Sequence, residues 1–370
     1  MKVGIDCYFL SDEKSAWGKI QFNILKWLTS IDSVDEFYIF ADKKEVSFLK
    51  NNPNCKIVTV EKNRNDFISR TKSIRKSIKS QKIDIDVFIE TAEILPKLNK
   101  NIRKYTIQHD FSNGKMEPKF SLAHLKGKIY KFYQKSSIIK SDAIFCNSEF
   151  TRNQLYAIFP TKKNVLLSPL GCDTLYESGR DQFYQKDLTY LNLPDKFFLF
   201  VGRITVKHKN IPLLLEAFLE FSRTHEDISL VIASTEDPTK DEERLINRIG
   251  NKLTLLQGLS TKEIAYIYSK ATAFIFPSYY EGFGIPILEA QYMDCPLVLN
   301  DIPVFREVSG GCGIFFNGTS QSLEMAMHRI IQNKERTRLI ECGKSNCIKY
   351  SWKNVASIIY RTLLTEANHE

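Results

Sequence analysis

Residues 276–290 read Phe-Pro-Ser-Tyr-Tyr-Glu-Gly-Phe-Gly-Ile-Pro-Ile-Leu-Glu-Ala. They place two carboxylates, Glu281 and Glu289, on either side of a Gly282-Phe283-Gly284 turn. Pro286 beside Ile285 is a good early-helix residue, so a helix is expected to open there. A helix start offers unpaired backbone N–H groups and a positive end to an anion. A carboxylate can accept two hydrogen bonds at once, which suits the vicinal hydroxyls of a ribose or hexose. An anion together with vicinal hydroxyls describes a nucleotide sugar. Taken singly, Glu281 reads equally well as an acid stabilising a helix N-terminus, and Glu289 as part of a solvated helix face.

A second cluster strengthens the chemical reading. Phe197-Phe-Leu-Phe-Val-Gly-Arg-Ile-Thr-Val-Lys-His-Lys-Asn-Ile-Pro is an apolar strand followed by Gly202, Arg203, Lys207 and Lys209. Ligands of parallel sheets sit outside the carboxyl ends of the strands, which is where Arg203 falls. Cations there can hold a diphosphate and stabilise the charge of a departing nucleotide diphosphate. The plain alternative is a basic loop complementing nearby acids.

These clusters need strands and helices to carry them. Short runs rich in β-branched and aromatic residues predict seven strands in the first half: KVGIDCYF, EFYIFA, KIVTV, VFIE, KYTIQH, AIFCN and NVLLS. FFLFVG, SLVIAS, LTLLQ, AFIFP, PLVLN and GIFF predict six in the second. Helical spacing separates them, as in Ile211-Pro-Leu-Leu-Leu-Glu-Ala-Phe-Leu-Glu-Phe. Alternation of this kind predicts an α/β protein with parallel sheets. The polar segment from about Cys172 to Lys196 lacks periodicity and separates two blocks, each able to form a doubly wound sheet. Two such domains facing across a cleft is the expected architecture.

The 370 residues exceed one ordinary domain, and 43% hydrophobic with 26% charged residues excludes a disordered chain. No apolar run approaches membrane-spanning length, and acids near the N-terminus argue against an export signal. The eight cysteines are scattered without a C-x-x-C pair, so buried, unpaired thiols in a reducing compartment are expected. The formal charge of +9 is uneven: residues 1–180 hold 31 basic against 20 acidic residues. Such an excess attracts nucleic acid, an anionic lipid surface or a phosphorylated substrate. Lys115–Lys140 interleaves lysines with Phe120, Leu122, Leu125, Ile129, Tyr130, Phe132 and Tyr133. That pattern fits a membrane-surface helix or an ordinary amphipathic helix covering a sheet.

The second half, through VGRI…KN…LLLEAF, FIFPSYYEGFGIPILEA and NDIPVFREVSGGCGIFF, resembles the retaining glycosyltransferases of family four (glycosyl transferases group 1), which have the two-domain GT-B fold. The first half resembles them more loosely, through Ile107-Gln-His-Asp, Phe145-Cys-Asn-Ser-Glu-Phe-Thr-Arg and Leu167-Ser-Pro-Leu-Gly-Cys-Asp. The resemblance implies an acceptor-binding domain over 1–172, a linker over 173–195, a donor-binding domain over 196–350 and a helix over 351–370 that crosses back to the first domain. In that arrangement Trp352 packs and does not react. The resemblance also implies that Glu289 binds the donor ribose and Glu281 contacts the transferred sugar. Gly282, Phe283, Gly284 and Ile285 would offer amides, and Arg203 and Lys209, beside Gly202, would grip the diphosphate. His109 would point at the donor sugar, and Gly18, in the loop after the first strand, would let that loop approach the phosphate. Two departures stand out. Lys209 lies six residues after Arg203, with His208 in the place usual for the lysine. The Ser15-Ala-Trp-Gly18 loop lacks the family's second glycine.

The resemblance also implies no cofactor and no metal, since in that family cationic side chains and a helix end neutralise the diphosphate. Asp84-Ile-Asp86 has the D-x-D form of a metal motif, but reads as a pair of acids before a strand. Adjacent His109 and Asp110 are poorly placed for a dyad. Ser148 or Asn147 is expected to cap a helix. The expected activity is hexose transfer from a GDP- or UDP-linked sugar to a glycan or lipid-linked acceptor, with retention, in bacterial surface polysaccharide assembly on the cytoplasmic face of the membrane. Two rivals are a nucleotide-sugar epimerase of the same fold and a non-catalytic nucleic-acid-binding protein. The Glu281/Glu289 pair argues against the latter, and no G-x-G-x-x-G follows the first strand to suggest an oxidoreductase.

Overall fold

A computed structural model describes residues 1–11, 15–31, 35–42, 46–49, 52–61, 67–111, 122–161, 163–172, 176 and 188–367. The chain forms two compact units, residues 1–171 with 351–370, and residues 172–350. Most of the expected linker, and the start of the basic aromatic stretch including Phe120, lie outside the described residues.

The first unit runs β1 (Lys2–Cys7), α1 (Ala16–Leu28), β2 (Glu36–Ala41), β3 (Cys55–Thr59), α2 (Phe67–Ser80), β4 (Val87–Glu90), β5 (Arg103–Gln108), α3 (Leu122–Lys140), β6 (Ala143–Cys146), α4 (Glu149–Ile158) and β7 (Asn164–Leu167). Its seven strands lie in the order β3-β2-β1-β4-β5-β6-β7, every pair parallel.

The second unit continues β8 (Phe197–Val201), α5 (Ile211–Phe221), β9 (Ser229–Ala233), α6 (Lys240–Ile249), β10 (Leu253–Leu256), α7 (Thr261–Lys270), β11 (Ala273–Phe276), α8 (Ile285–Tyr292), β12 (Leu297–Asn300), α9 (Pro303–Ser309), β13 (Ile314–Phe316), α10 (Ser320–Ile330) and α11 (Asn333–Cys347). Its parallel order is β10-β9-β8-β11-β12-β13. The last helix, α12 (Trp352–Ala367), belongs to the first unit. It lies on α1, and Tyr360 donates to Asp35 Oδ2 at 2.8 Å while Trp352 is buried.

Central strands such as β8 and β11 are continuous apolar runs, the pattern of a parallel sheet covered on both faces. Phe198, Leu199 and Phe200 of β8 and all of β11 are fully buried. Helix starts follow local capping chemistry: Thr239 with Glu242 and Ser260 with Glu263 form capping boxes on α6 and α7. Ser148, not Asn147, caps α4 by accepting from Thr151 N. Both sheets reverse their strand order beside their first strand, at β1/β4 and β8/β11, and such switch points open crevices at the carboxyl ends.

Two expectations are corrected. Gly18 is not in a loop: it lies buried in the first turn of α1, where its N–H is held by the Ser15 hydroxyl at 3.0 Å. The amphipathic run starts at Ala16, so the loop ends before Gly18. The eight cysteines are not all unpaired, because Cys312 and Cys342 form a disulfide with Cα atoms 5.5 Å apart. Gly310 and Gly311, both in the left-handed region, turn the chain after α9 so that Cys312 meets α11, a juxtaposition that spacing along the chain does not reveal. Cys7, Cys55, Cys146, Cys172, Cys295 and Cys347 are not in disulfides.

Candidate active site

The switch point of the second sheet collects the chemistry-bearing residues of both motifs. β8 ends at Val201, and Gly202 follows at φ +149°, a backbone state that side chains resist. Its N–H donates to Ala233 O at the end of β9. A single 3-10 turn over Lys207–Lys209 ends on Asn210 in the left-handed region. Tyr279 N donates to His208 O at 3.0 Å, which fastens this turn to the loop after β11. That loop is fixed again by Asn300 of β12, which donates to Ser278 O at 3.1 Å.

Lys209 is thereby aimed at Glu281. Its ammonium donates to Glu281 Oε1 at 2.7 Å and lies 4.8 Å from the centre of the Phe276 ring. Both side chains are mostly covered, at 16% and 14% exposure, whereas Lys207 is exposed. His208 Nε2 stands 4.0 Å from the same carboxylate oxygen. A cation held between a carboxylate and an aromatic face is already ordered, so a ligand that takes it up adds little further loss of side-chain entropy. It is placed to exchange its carboxylate for a phosphate oxygen.

Arg203 is more open, 65% exposed, and its Nε donates to Glu236 Oε1 at 2.6 Å. Glu236 also accepts from Thr205 N and from the Thr205 hydroxyl. Partial burial works against its charge, but the bonds from Thr205 and Arg203 outweigh that and hold its carboxyl below the ordinary range. Sequence reasoning missed Glu236. Its signal was the polar Ser-Thr-Glu-Asp run directly after β9, the strand neighbouring β8.

The helix after the glycine turn forms where expected. Gly284, at φ +104°, precedes Ile285 and Pro286 at the start of α8. A Cβ on Gly284 would sit 3.3 Å from Ile287 and Phe305, so both backbone state and space require glycine. The helix start leaves amides such as that of Ile285 without intrahelical acceptors. Phe283 is buried against the Tyr350 ring. Glu289 does not lie on a solvated face. It is 6% exposed, and Tyr268 donates to its Oε2 at 3.3 Å.

The first unit holds His109 immediately after β5. Its Nε2 meets Thr91 O at 3.0 Å, the Trp17 ring packs edge-on against it at 4.7 Å, and its Nδ1 is buried without a partner among the described residues. Burial lowers its pKa to about 4, so the ring is neutral, with Nε2 donating and Nδ1 left as an acceptor.

Sequence reasoning also missed the frame around His109. Glu93, at φ +70° and 1% exposed, accepts from His109 N and Asp110 N on Oε1. On Oε2 it accepts from the Tyr130 hydroxyl at 2.6 Å and Gln134 Nε2 at 3.3 Å, both on α3. Burial, then the nearby Asp110 charge, raise its pKa to about 7. Arg70 of α2 is buried beside it, bonded to Asp6 at 2.6 Å, to Glu90 at 2.7 Å, and to the carbonyls of Ala92 and Ile94. Asn147 holds His109 O. Asp84 and Asp86 bond Lys2. Among the described residues no three His, Cys, Asp or Glu side chains gather as a metal site.

Two parallel-sheet, Rossmann-like units with these strand orders define the GT-B class of fold. Sucrose-phosphate synthase from Thermosynechococcus elongatus superposes with a TM-score of 0.78 at 17% identity, covering 99% of this chain and all of that one. WaaG, described as a glycosyltransferase involved in lipopolysaccharide biosynthesis, gives 0.73 at 12%, covering 96% and 98%. At such identities these similarities speak for the fold alone. Residues 185–346 match the family described as glycosyl transferases group 1, and that segment of the second unit belongs to it. Among curated relatives, the O-antigen chain mannosyltransferase RfbU of Salmonella typhimurium is 32% identical over 33% of this chain and 35% of its own length. The O-antigen chain mannosyltransferase B of Escherichia coli is 23% identical over 68% of each. A serotype-specific mannosyltransferase of Escherichia coli, WbdA, is 33% identical over 34% of this chain and 16% of its own length. The first of these matches therefore span about a third or less of the curated relatives.

Proposed function

We propose that this chain is a retaining glycosyltransferase that moves a hexose from a nucleotide diphosphate sugar to an acceptor hydroxyl in bacterial surface-glycan assembly. The observation that carries the reading is the Lys209–Glu281 pair beside Arg203 at the second unit's switch point, within the segment matching glycosyl transferases group 1. The mannosyltransferase names among the relatives make mannose the first hexose to test.

In this reading Arg203 and Lys209 take the diphosphate, Glu289 the ribose hydroxyls and Glu281 a hydroxyl of the transferred sugar. The amides of Gly282, Phe283, Gly284 and Ile285 serve the phosphate or sugar. His109 offers Nδ1 to a substrate hydroxyl. Retention follows from front-face attack. The anomeric carbon loses its bond to the diphosphate oxygen and gains one to the acceptor oxygen on the same face. The acceptor proton passes to the leaving diphosphate, whose charge the two cations stabilise. They do so without a divalent metal, and transfer should persist in EDTA. The protein would act at the cytoplasmic face of the membrane on a glycan or lipid-linked saccharide.

The test is product analysis. Incubation with GDP- and UDP-hexoses and a lipid-linked saccharide should yield a product that keeps the donor's anomeric configuration. Donor consumption without acceptor would point to epimerisation or hydrolysis instead. Inverted product, or full activity in Glu281→Gln, would overturn the role assignments.

A further inference from the structure

Helix α3 buries one side and leaves the other side apolar as well. Gly127, Gln134, Ser137 and Ile138 face the first unit's interior. On the opposite side Leu125 is 54% exposed, Ile129 41%, Phe132 70% and Ile139 59%. Their spacing of four, three and seven residues puts them in one line along the helix, about 21 Å long at 1.5 Å per residue. Lysines run along both margins of that line: Lys128 and Lys135 on one side, Lys126 and Lys140 on the other, all exposed. The helix has five lysines and no Asp or Glu. Lys131, by contrast, is half-buried and off this face. Helix α2 meets the Lys126 margin through Phe67, whose ring lies 5.1 Å from Tyr130 and 5.4 Å from Tyr133. It also lacks acids and adds exposed Lys72 and Lys79. Beside the last turn of α3, a cavity of about 570 Å³ with Ile139, Ile158, Phe159 and Pro160 in its wall continues the apolar surface, with Lys135 and Lys163 at its edge.

Exposed large apolar side chains in a line are costly in water, and five of them, counting Tyr133, sit on this one helix. Acid-free lysine margins make a soluble acidic-poor partner unfavourable and an anionic surface favourable. An apolar row flanked by lysines is the form in which a helix lies in a lipid interface, the row among the acyl chains and the ammonium groups at the phosphates. The cavity lies at the amino ends of β6 and β7, where α3 and α4 finish. That is the edge of the sheet opposite to His109, so the cavity end of the surface lies away from the candidate site, while the middle of α3 borders it through Tyr130 and Gln134 on Glu93.

We infer that the outer face of α3 docks this protein onto an anionic lipid bilayer, with Leu125, Ile129, Phe132 and Ile139 entering the interface and Lys126, Lys128, Lys135 and Lys140 contacting phosphate headgroups. The inference does not rest on sugar transfer, and its readout needs no activity. The experiment is co-sedimentation of the full chain with vesicles of phosphatidylcholine alone or with one third phosphatidylglycerol. Wild type should bind the mixed vesicles and leave the neutral ones. Phe132→Glu and the pair Lys128→Glu, Lys135→Glu should each weaken binding at least tenfold. All are exposed positions, and unchanged circular dichroism confirms that the variants fold. Phe132→Trp should be quenched by lipids brominated on their acyl chains. Three results would overturn the inference: vesicle binding unaffected by either variant; binding that depends on the lysines while Phe132→Trp stays unquenched; or dimers in sedimentation equilibrium that Phe132→Glu dissolves while vesicle binding is absent.

Discussion

The two units share a strand order around their switch points but differ in how they keep charge there. In the second unit the cations are partly exposed and each is bonded to a single carboxylate: Lys209 to Glu281, Arg203 to Glu236. In the first unit the corresponding crevice is floored by a buried network in which one guanidinium serves two carboxylates and two carbonyls, and Glu93 gathers four donors. Loosely paired charges can exchange partners for a ligand. Charges sealed under 2% exposure cannot, and act instead as a frame. The difference separates a surface that is ready to bind from one that holds its neighbours in place.

The largest effect expected tests the frame. Arg70→Met removes the guanidinium bonded to Asp6 and Glu90 and leaves two carboxylates buried together. The first unit should lose about 3–5 kcal/mol. All three tryptophans, Trp17, Trp27 and Trp352, belong to that unit, so their fluorescence during urea unfolding reports it selectively. A loss below 1 kcal/mol would mean that the network carries little weight. In the second unit, Lys209→Ala should cost kcat/KM about 100- to 1000-fold while leaving the tryptophan-reported unfolding midpoint unchanged. Equal activity, or a shifted midpoint, would dissolve the contrast between binding surface and frame.

The pH dependence sharpens the contrast further. The folded pKa of Glu93 is raised to about 7, above its value in the unfolded chain, so folding favours the protonated form. The stability this gives is fully present below the unfolded value near 4.3 and is lost as pH rises through 7. His109, lowered to about 4 by burial, works oppositely, costing stability as pH falls below its unfolded value near 6.5. The groups facing Glu93 are Tyr130 and Gln134 from α3, the His109 and Asp110 amides after β5, and the Asp110 charge. Glu93→Gln keeps an acceptor for the two amides and removes the titration. Wild type should therefore lose stability relative to Glu93→Gln between pH 5 and 7.5, seen as converging or crossing unfolding midpoints. A constant difference across that range would show that Glu93 does not titrate there.

How much of this was legible in sequence follows the same division. The central strands were readable because burial on both faces makes them continuous apolar runs, as in Phe197–Val201. The Gly282-Phe283-Gly284 turn and Lys209 were readable because one loop carries each group beside a strand end. Arg70, Glu90 and Glu93 were not readable. They meet across elements, and a basic α2 segment gives no sign which of its five cations turns inward. Gly18 failed for a related reason: a serine three residues earlier reads as loop, whereas Ser15 is a cap that draws Gly18 into α1. The Cys312–Cys342 pair lies 30 residues apart, joined only by the fold.

The smallest effect separates two neighbours that the sequence offered as equivalent. Asn147 and Ser148 follow β6, and either could cap α4. Ser148 Oγ accepts from Thr151 N at 3.0 Å, so Ser148→Ala should cost the first unit about 1 kcal/mol. Asn147 Nδ2 donates instead to His109 O at 3.0 Å and makes no cap bond. Asn147→Ala should leave α4 intact but loosen His109, whose Nδ1 is proposed to meet a substrate hydroxyl. Its signature is a rise in KM with little change in unfolding midpoint, whereas Ser148→Ala shifts the midpoint with KM held. If the two variants behave alike in both measurements, the hydrogen bond to His109 O has no separate consequence, and the frame ends at Glu93.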